Sequence, residues 1–196
     1  MEHIYHLSQF GEHWFQKSSE DLIKKAIELT PSGGKFVEIG SWKGKSSAFT
    51  AVEIINSGKN IQFDCIDTWK GSKEHQLGGF AYSADVYSLF KIFQRNMNPL
   101  KGYYNPIQMK SLEAVKLYEN ESIDFIFIDA SHEYEDVKND IIHWMPKLKE
   151  TGIIGGDDYG NRYFPGVKKA VEEIFNNNFK YKEVTWYYSK NLNFEI

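Results

Sequence analysis

Three acids and a histidine fall in two short runs of this chain. Asp129 and His132 stand in Ile128-Asp129-Ala130-Ser131-His132, and Asp157 and Asp158 in Gly155-Gly156-Asp157-Asp158-Tyr159. Each run ends an apolar, β-rich segment. If those segments are adjacent parallel strands, the three carboxylates meet at one sheet edge and repel each other until something positive joins them. Hard oxygen ligands suit Mg²⁺, Ca²⁺ or Mn²⁺. His132, three residues past Asp129, titrates near neutral pH and could take a proton from a substrate hydroxyl. The plainer reading is local. Paired Asp in a Gly-rich turn is common, and Asp129 could cap the helix that begins near Glu133. His75 is a weaker second candidate. His3, His6, His13 and His143 have no convergent partners in sequence and read as structural.

A second constellation is Glu38-Ile39-Gly40-Ser41-Trp42-Lys43-Gly44-Lys45-Ser46-Ser47, which follows a strand and opens a helix. Gly40 lets the backbone turn sharply, and Gly44 permits close approach. The spacing is not G-x-G-x-x-G, and it is not a P-loop. An acid before the turn suits a cationic amine better than a pyrophosphate. The next strand ends in Asp64-Cys65-Ile66-Asp67-Thr68-Trp69. An acid at that tip, here Asp67, accepts hydrogen bonds from ribose hydroxyls in nucleoside-binding sheets. Read locally, Asp67 is a loop acid that caps the next segment.

The elements that must position these groups alternate strand and helix. Buried parallel strands are expected at 36–39, 61–66, 123–128 and 153–154, with a weaker one at 104–109. Helical faces are spelled by Ala48, Phe49, Val52 and Ile55, by Val137, Ile141, Trp144, Met145 and Leu148, and by Val167, Ala170, Val171, Ile174 and Phe175. A helix over 19–29 with a Ser cap precedes them. Two β-rich runs after 179, around a polar break near 189–191, predict a closing antiparallel hairpin. The expected class is α/β: a doubly wound, mostly parallel sheet with a C-terminal antiparallel hairpin and helices on both faces. Residues 68–84 are Gly/Ser-rich without periodicity, and a loop of that length in a compact domain is either functional or disordered. No repeat or linker divides the chain. One domain over 1–196 is expected, with an N-terminal helical segment (1–35), a core (36–175) and a closing hairpin (176–196).

Composition narrows the partners. The chain has 196 residues, 23 Lys plus Arg and 27 Asp plus Glu, for a net charge of −4. Broad phosphate-backbone binding needs a clustered basic face, so nucleic acid is not expected. The lone Cys65 forms no internal disulfide. No apolar run approaches the roughly 20 residues that span a bilayer, and the first residues lack a signal-peptide layout, so a soluble cytoplasmic protein without membrane partners is expected. Aromatic residues make up 16% of the chain, and the surplus outside the expected core is assigned to a ligand pocket. Exposed aromatics near 5–15 and 186–194 favour a homodimer.

Together these segments resemble the class I S-adenosylmethionine-dependent methyltransferases, from about Phe36 to Phe175. The nearest likeness is to small O-methyltransferases of the catechol, caffeoyl-CoA and macrolide-sugar type, whose first motif reads acid-x-Gly-x-aromatic-x-Gly-x-Ser. The resemblance implies a Rossmann-like fold and S-adenosylmethionine as cofactor. It would set Gly40, Ser41 and Gly44 at the cofactor, Ser46 on its carboxylate and Glu38 toward its amino group. Asp67 and Thr68 would meet the ribose, and Trp69 and Ser111 the adenine. Asp129 would serve cofactor and metal together, with Asp157 and Asp158 completing a Mg²⁺ or Ca²⁺ site. The catechol group has Asp-Asn where this chain has Asp157-Asp158, and it has a lysine where this chain has His132. The base role therefore carries over by position only.

The expected reaction is metal-assisted O-methylation of a small-molecule hydroxyl. Asp129, Asp157 and Asp158 would hold the metal, and His132 would remove the proton. Trp69, Phe80, Tyr82 and Tyr87 of the long loop would cover the site. Tyr159 and the stretch Asn161-Arg162-Tyr163-Phe164 would contact substrate. Five acids, Glu38, Asp67, Asp129, Asp157 and Asp158, are thereby assigned to one sheet edge. Three alternatives stand beside this reading: a metal-independent methyltransferase of the same fold, a nicotinamide-dependent oxidoreductase, and a binding module without catalysis. The acid before the turn and the missing G-x-G-x-x-G count against the second.

Overall fold

A computed structural model describes residues 15–75, 78–79, 84–191 and 193–196. His3, His6, His13, Phe80 and Tyr82 lie outside the described residues, as does most of the aromatic 5–15 segment. The elements in chain order are α1 (Lys17–Leu29), β1 (Lys35–Ile39), α2 (Lys45–Ser57), β2 (Gln62–Asp67), α3 (Leu89–Met97), β3 (Asn105–Gln108), α4 (Ser111–Ala114), β4 (Ile123–Ile128), α5 (Tyr134–Trp144), β5 (Leu148–Gly156), α6 (Pro165–Phe175), β6 (Lys180–Lys182) and β7 (Thr185–Tyr188). The sheet order is β3-β2-β1-β4-β5-β7-β6. The first five strands run parallel, and β7 pairs antiparallel with both β5 and β6.

The two faces follow from the period-two alternation of strand side chains. Phe36, Phe63, Cys65, Phe125, Phe127 and Ile153 point to the side covered by α1, α2 and α3. Val37, Ile39, Ile66, Ile126, Ile128 and Ile154 point to the side covered by α4, α5 and α6. The strands are apolar on both faces because both are covered. Phe36, Trp144 and Trp186 are almost fully buried, and truncating such a residue to Ala costs about 3–5 kcal/mol.

Part of the aromatic surplus is used here. Trp69, Phe93 and Tyr118 are core residues, and so are Trp186 and Tyr187, which were expected to be exposed.

Several local expectations shift. Ser19 does not cap α1. Gln16 holds the cap position, and Ser18 and Ser19 are buried in the first turn, where both hydroxyls meet Thr185 Oγ1 of β7 at 2.7 and 2.8 Å. The hairpin turns at Glu183, which has φ +53°, and the polar run 189–191 follows β7. Leu148 begins β5 and does not extend the α5 face. The helix α3, which had no clear signal, packs Leu89, Phe93 and Met97 into the first core.

Candidate active site

A cavity of about 670 Å³ opens at the carboxyl edge of the parallel strands, where ligands bind in open α/β sheets. Its floor is laced together by the ends of three strands. Gly40 N–H donates to the Ile66 carbonyl, and Asp129 N–H to the Ile39 carbonyl, each at 2.8 Å. Gly40 has φ +93°, and a Cβ there would lie 2.0 Å from the Asp129 carbonyl oxygen. Only glycine fits.

Gly44 also has a positive φ, but its open side faces Met97 of α3, 2.9 Å from where a Cβ would sit. It caps α2 and does not line the cavity. Ser41 and Ser46 do line it. Glu38 does not. Its carboxyl is buried beneath the turn and accepts the hydroxyls of Ser41, at 2.8 Å, and of Ser47. Burial raises it to about 7 against the pull of the serine hydroxyls.

Asp67 lines the cavity and braces it. Its Oδ2 accepts the Trp42 amide at 2.8 Å and its Oδ1 the Trp69 amide at 2.7 Å. Both tryptophans have left-handed φ, +46° and +50°, a conformation that costs about 1–3 kcal/mol and persists only when its surroundings fix it. The Trp69 indole closes the circuit by donating to the Trp42 carbonyl at 2.9 Å. Trp69 itself is buried against Phe90 and Phe93. It supports the turn from below and is not part of the cavity wall. Burial raises the Asp67 carboxyl, and the backbone amides oppose that rise.

Sequence reasoning passed over Trp42 as a site residue. Its ring lines the cavity and stacks on His75 at 4.2 Å between centroids. Gly71, Ser72, Lys73 and His75 therefore form a wall of the cavity, while Tyr87 lies exposed and outside it. Thr68 and Ser111 both reach the cavity. The Ser111 hydroxyl accepts the Trp144 indole N–H at 2.8 Å and bonds to Asp140.

At the other end of the cavity β4 and β5 pair in register, Ile128 opposite Gly156, and deliver the acids side by side. His132 Nε2 is 3.0 Å from Asp158 Oδ2 and 3.7 Å from Asp129 Oδ1. Donor atoms of Asp129, His132 and Asp158 all lie within 4.8 Å of one another.

Asp157 lines the same cavity but stands apart from that set. Its Oδ1 accepts the Asp158 amide at 2.9 Å, and it bonds to Ser19. Burial pushes its carboxyl well up, and Asp129 and Asp158 push it further. Asp158 has φ +64° and accepts the Asn161 side-chain amide at 2.6 Å. Phe164 stacks on His132 at 3.9 Å. Tyr163 lines the outer wall, whereas Tyr159 packs beneath against Phe179 and Tyr181. Phe15 and Gln16, just before α1, complete the lining.

A family model described as a methyltransferase domain matches residues 37–159, more than half of the chain. The chain belongs to that family. The methyltransferase domain also shares its fold with the O-methyltransferase NovP, at TM-score 0.67 and 16% identity over 88% of this chain and 79% of that one. It is similar to the calicheamicin methyltransferase CalS11, at TM-score 0.64 and 16% identity over 88% and 77% of the two chains. An O-methyltransferase from Bacillus cereus in complex with SAH aligns at TM-score 0.61 and 14% identity, over 92% of this chain and 84% of that one.

Among curated proteins, "Uncharacterized protein y4gI" of Sinorhizobium fredii is 29% identical over 122 residues, 61% of this chain. This chain spans only 12% of that relative's length. The fold is that of the class I S-adenosylmethionine-dependent methyltransferases, as the first motif implied. No helix among the described residues is long and apolar enough to cross a membrane.

Proposed function

We propose that this methyltransferase domain transfers a methyl group from S-adenosylmethionine to a hydroxyl of a small molecule, assisted by a divalent cation. The observation that carries the reading is the convergence of Asp129, His132 and Asp158 within 4.8 Å, at the end of the cavity opposite Asp67 and Ser111. Asp67 and Thr68 would receive the ribose, Ser111 the adenine, and Ser41 and Ser46 the amino-acid end.

When bound, S-adenosylmethionine supplies a methyl group already activated by its sulfonium, so the chain's main task is alignment, worth about 7–11 kcal/mol in well-oriented reactions. A divalent cation lowers the pKa of a coordinated hydroxyl and fixes its position. The residues that would hold it are Asp129, Asp158 and His132. This alters the expected set, because His132 stands where Asp157 had been placed. Asp157 backs the set through the Asp158 amide.

Imidazole in the set extends its range from Mg²⁺ and Ca²⁺ toward Mn²⁺ and Zn²⁺. Phe164 and Tyr163 give the acceptor an aromatic wall, and Asn161 holds Asp158 in place. Glu133 and Asp136 add negative charge to the same rim against Lys45 and Lys73, which supports a neutral or cationic acceptor and opposes nucleic acid.

A second reading is favoured by one contact. A neutral His132, 3.0 Å from Asp158, could take the acceptor's proton at its imidazole, and Asp158 would then stabilise the imidazolium that forms. The enzyme would be metal-independent. Calorimetry with S-adenosylhomocysteine tests the donor, and no heat at millimolar ligand removes it. Turnover after EDTA treatment separates the two readings: loss restored by Mn²⁺ or Mg²⁺ supports the cation, and full retention supports the His132–Asp158 pair.

A further inference from the structure

We propose that Glu38 is a positioning residue for the donor: a buried carboxyl that does not touch S-adenosylmethionine but holds, through serine hydroxyls, the turn that does. The inference rests on the donor site proposed above.

Glu38 is the penultimate residue of β1, paired in register with Cys65 on one side and Phe127 on the other. It is 2% exposed and absent from the cavity wall. An acid at this place in the motif is expected to face the donor's ammonium. Here its Oε2 is turned the other way, onto the hydroxyls of Ser41 and Ser47, and Ser46 also bonds to it.

The positions of those serines give the contact its consequence. Ser41 enters the glycine turn, and Ser46 and Ser47 leave it in the first turn of α2. One carboxyl therefore ties both ends of the turn together. Ser41 and Ser46 line the cavity, whereas Ser47 is fully buried outside it. The cap position of α2 is Gly44, which has no side chain to satisfy the helix start. Glu38 holds the first turn of α2 through the hydroxyls of Ser46 and Ser47, not through the helix amides. The groups facing Glu38 are Ser41, Ser46, Ser47, Cys65 and Asp129. None is cationic, so the hydroxyls carry the whole compensation, and moving any of them disturbs the others.

The test is calorimetric titration of S-adenosylhomocysteine into wild type, Glu38→Ala, Glu38→Gln and Ser47→Ala, each well below its own melting temperature. Glu38→Ala should bind about tenfold more weakly, and Ser47→Ala about threefold, although Ser47 cannot touch the ligand. Glu38→Gln keeps an acceptor for the hydroxyls and should recover to within about threefold of wild type. Wild-type affinity in both Glu38→Ala and Ser47→Ala would overturn the proposal, as would Glu38→Gln binding as poorly as Glu38→Ala, since that points to charge facing the donor directly. If Glu38→Ala does not fold, Ser47→Ala and Glu38→Gln still decide. A wild type that gives no heat removes the donor site itself and this inference with it.

Discussion

His132 Nε2 lies 3.0 Å from Asp158 Oδ2, across the gap between the loop after β4 and the loop after β5. Neither loop could hold this contact alone. It depends on the β4–β5 register and on Phe164, whose ring stacks on the imidazole. If the pair forms a cation site with Asp129, Mn²⁺ should raise the melting temperature of wild type. At a hundredfold excess over Kd the gain is about 2.7 kcal/mol, or roughly 5–10 °C for a domain of this size. Asp158→Asn and Asp129→Asn should lose that response, and Asp157→Asn should keep most of it. Equal responses in all four proteins would dismiss the site, and differential scanning fluorimetry is sufficient to see it.

Asp67 should carry two separable roles. Asp67→Asn leaves one of the two tryptophan amides without its carboxylate, so stability should fall by about 1–3 kcal/mol in urea unfolding. Affinity for S-adenosylhomocysteine should fall about tenfold in parallel. A variant that binds weakly but unfolds like wild type would show that Asp67 serves the ribose alone.

Glu38 predicts a pH dependence with a definite sign. Its carboxyl is raised from 4.5 to about 7 in the fold, so the folded chain holds a proton that the unfolded chain releases first. The stability tied to that proton is fully present below pH 4.5 and is lost as pH rises through about 7, amounting to roughly 3 kcal/mol. Asp67, Asp140 and Asp157 are also raised by burial and push the same way, so the comparison must be with Glu38→Gln. Denaturant unfolding at pH 5 and pH 8 should show wild type losing more stability than the variant. Identical losses would mean that Glu38 is ionised throughout.

The two tryptophans of the donor turn should respond oppositely. Trp69→Phe removes an indole donor and part of a buried ring cluster, and should cost about 1–3 kcal/mol of stability. Trp42→Ala should chiefly weaken ligand binding, because its ring forms the cavity wall with His75. Thermal melts and calorimetry on both proteins distinguish the assignments. A Trp69→Phe protein with wild-type stability would return Trp69 to the list of binding candidates.

The sheet was legible because both its faces are buried. Strands such as 123–128, apolar at every position, have few alternatives at that length. Asp129 and Asp157-Asp158 were placed together by the same logic, since parallel neighbours share an edge. Which way a side chain turns was not legible. Glu38 and Trp69 sit at motif positions that suggest ligand contact, yet each faces inward, because Ser47 and Phe93 offer better partners than solvent. Nor does spacing reveal that Asp157 gives its Oδ1 to a backbone amide and leaves the imidazole of His132 nearer to Asp158. Ser19 looks like a cap in sequence, and only the arrival of Thr185 from the far end of the chain draws it inward. The α3 helix was hidden by its neighbour, the glycine-rich loop, whose irregularity masked the start of a short periodic run.

The hydrogen bond between Ser19 and Thr185 joins residues 166 positions apart, and Ser19 also bonds to Asp157. Contacts of such long range form late, because the loop they close must be ordered before they repay its entropy. The donor half of the cavity, built from β1, β2, α2 and Ser111 with β4 beside β1, closes over shorter separations. The acceptor half waits for β7 to pair with β5 and meet α1 through Thr185. During folding, the ability to hold the donor should precede the ability to transfer from it, and the last strand to arrive is the one that turns a binder into a catalyst.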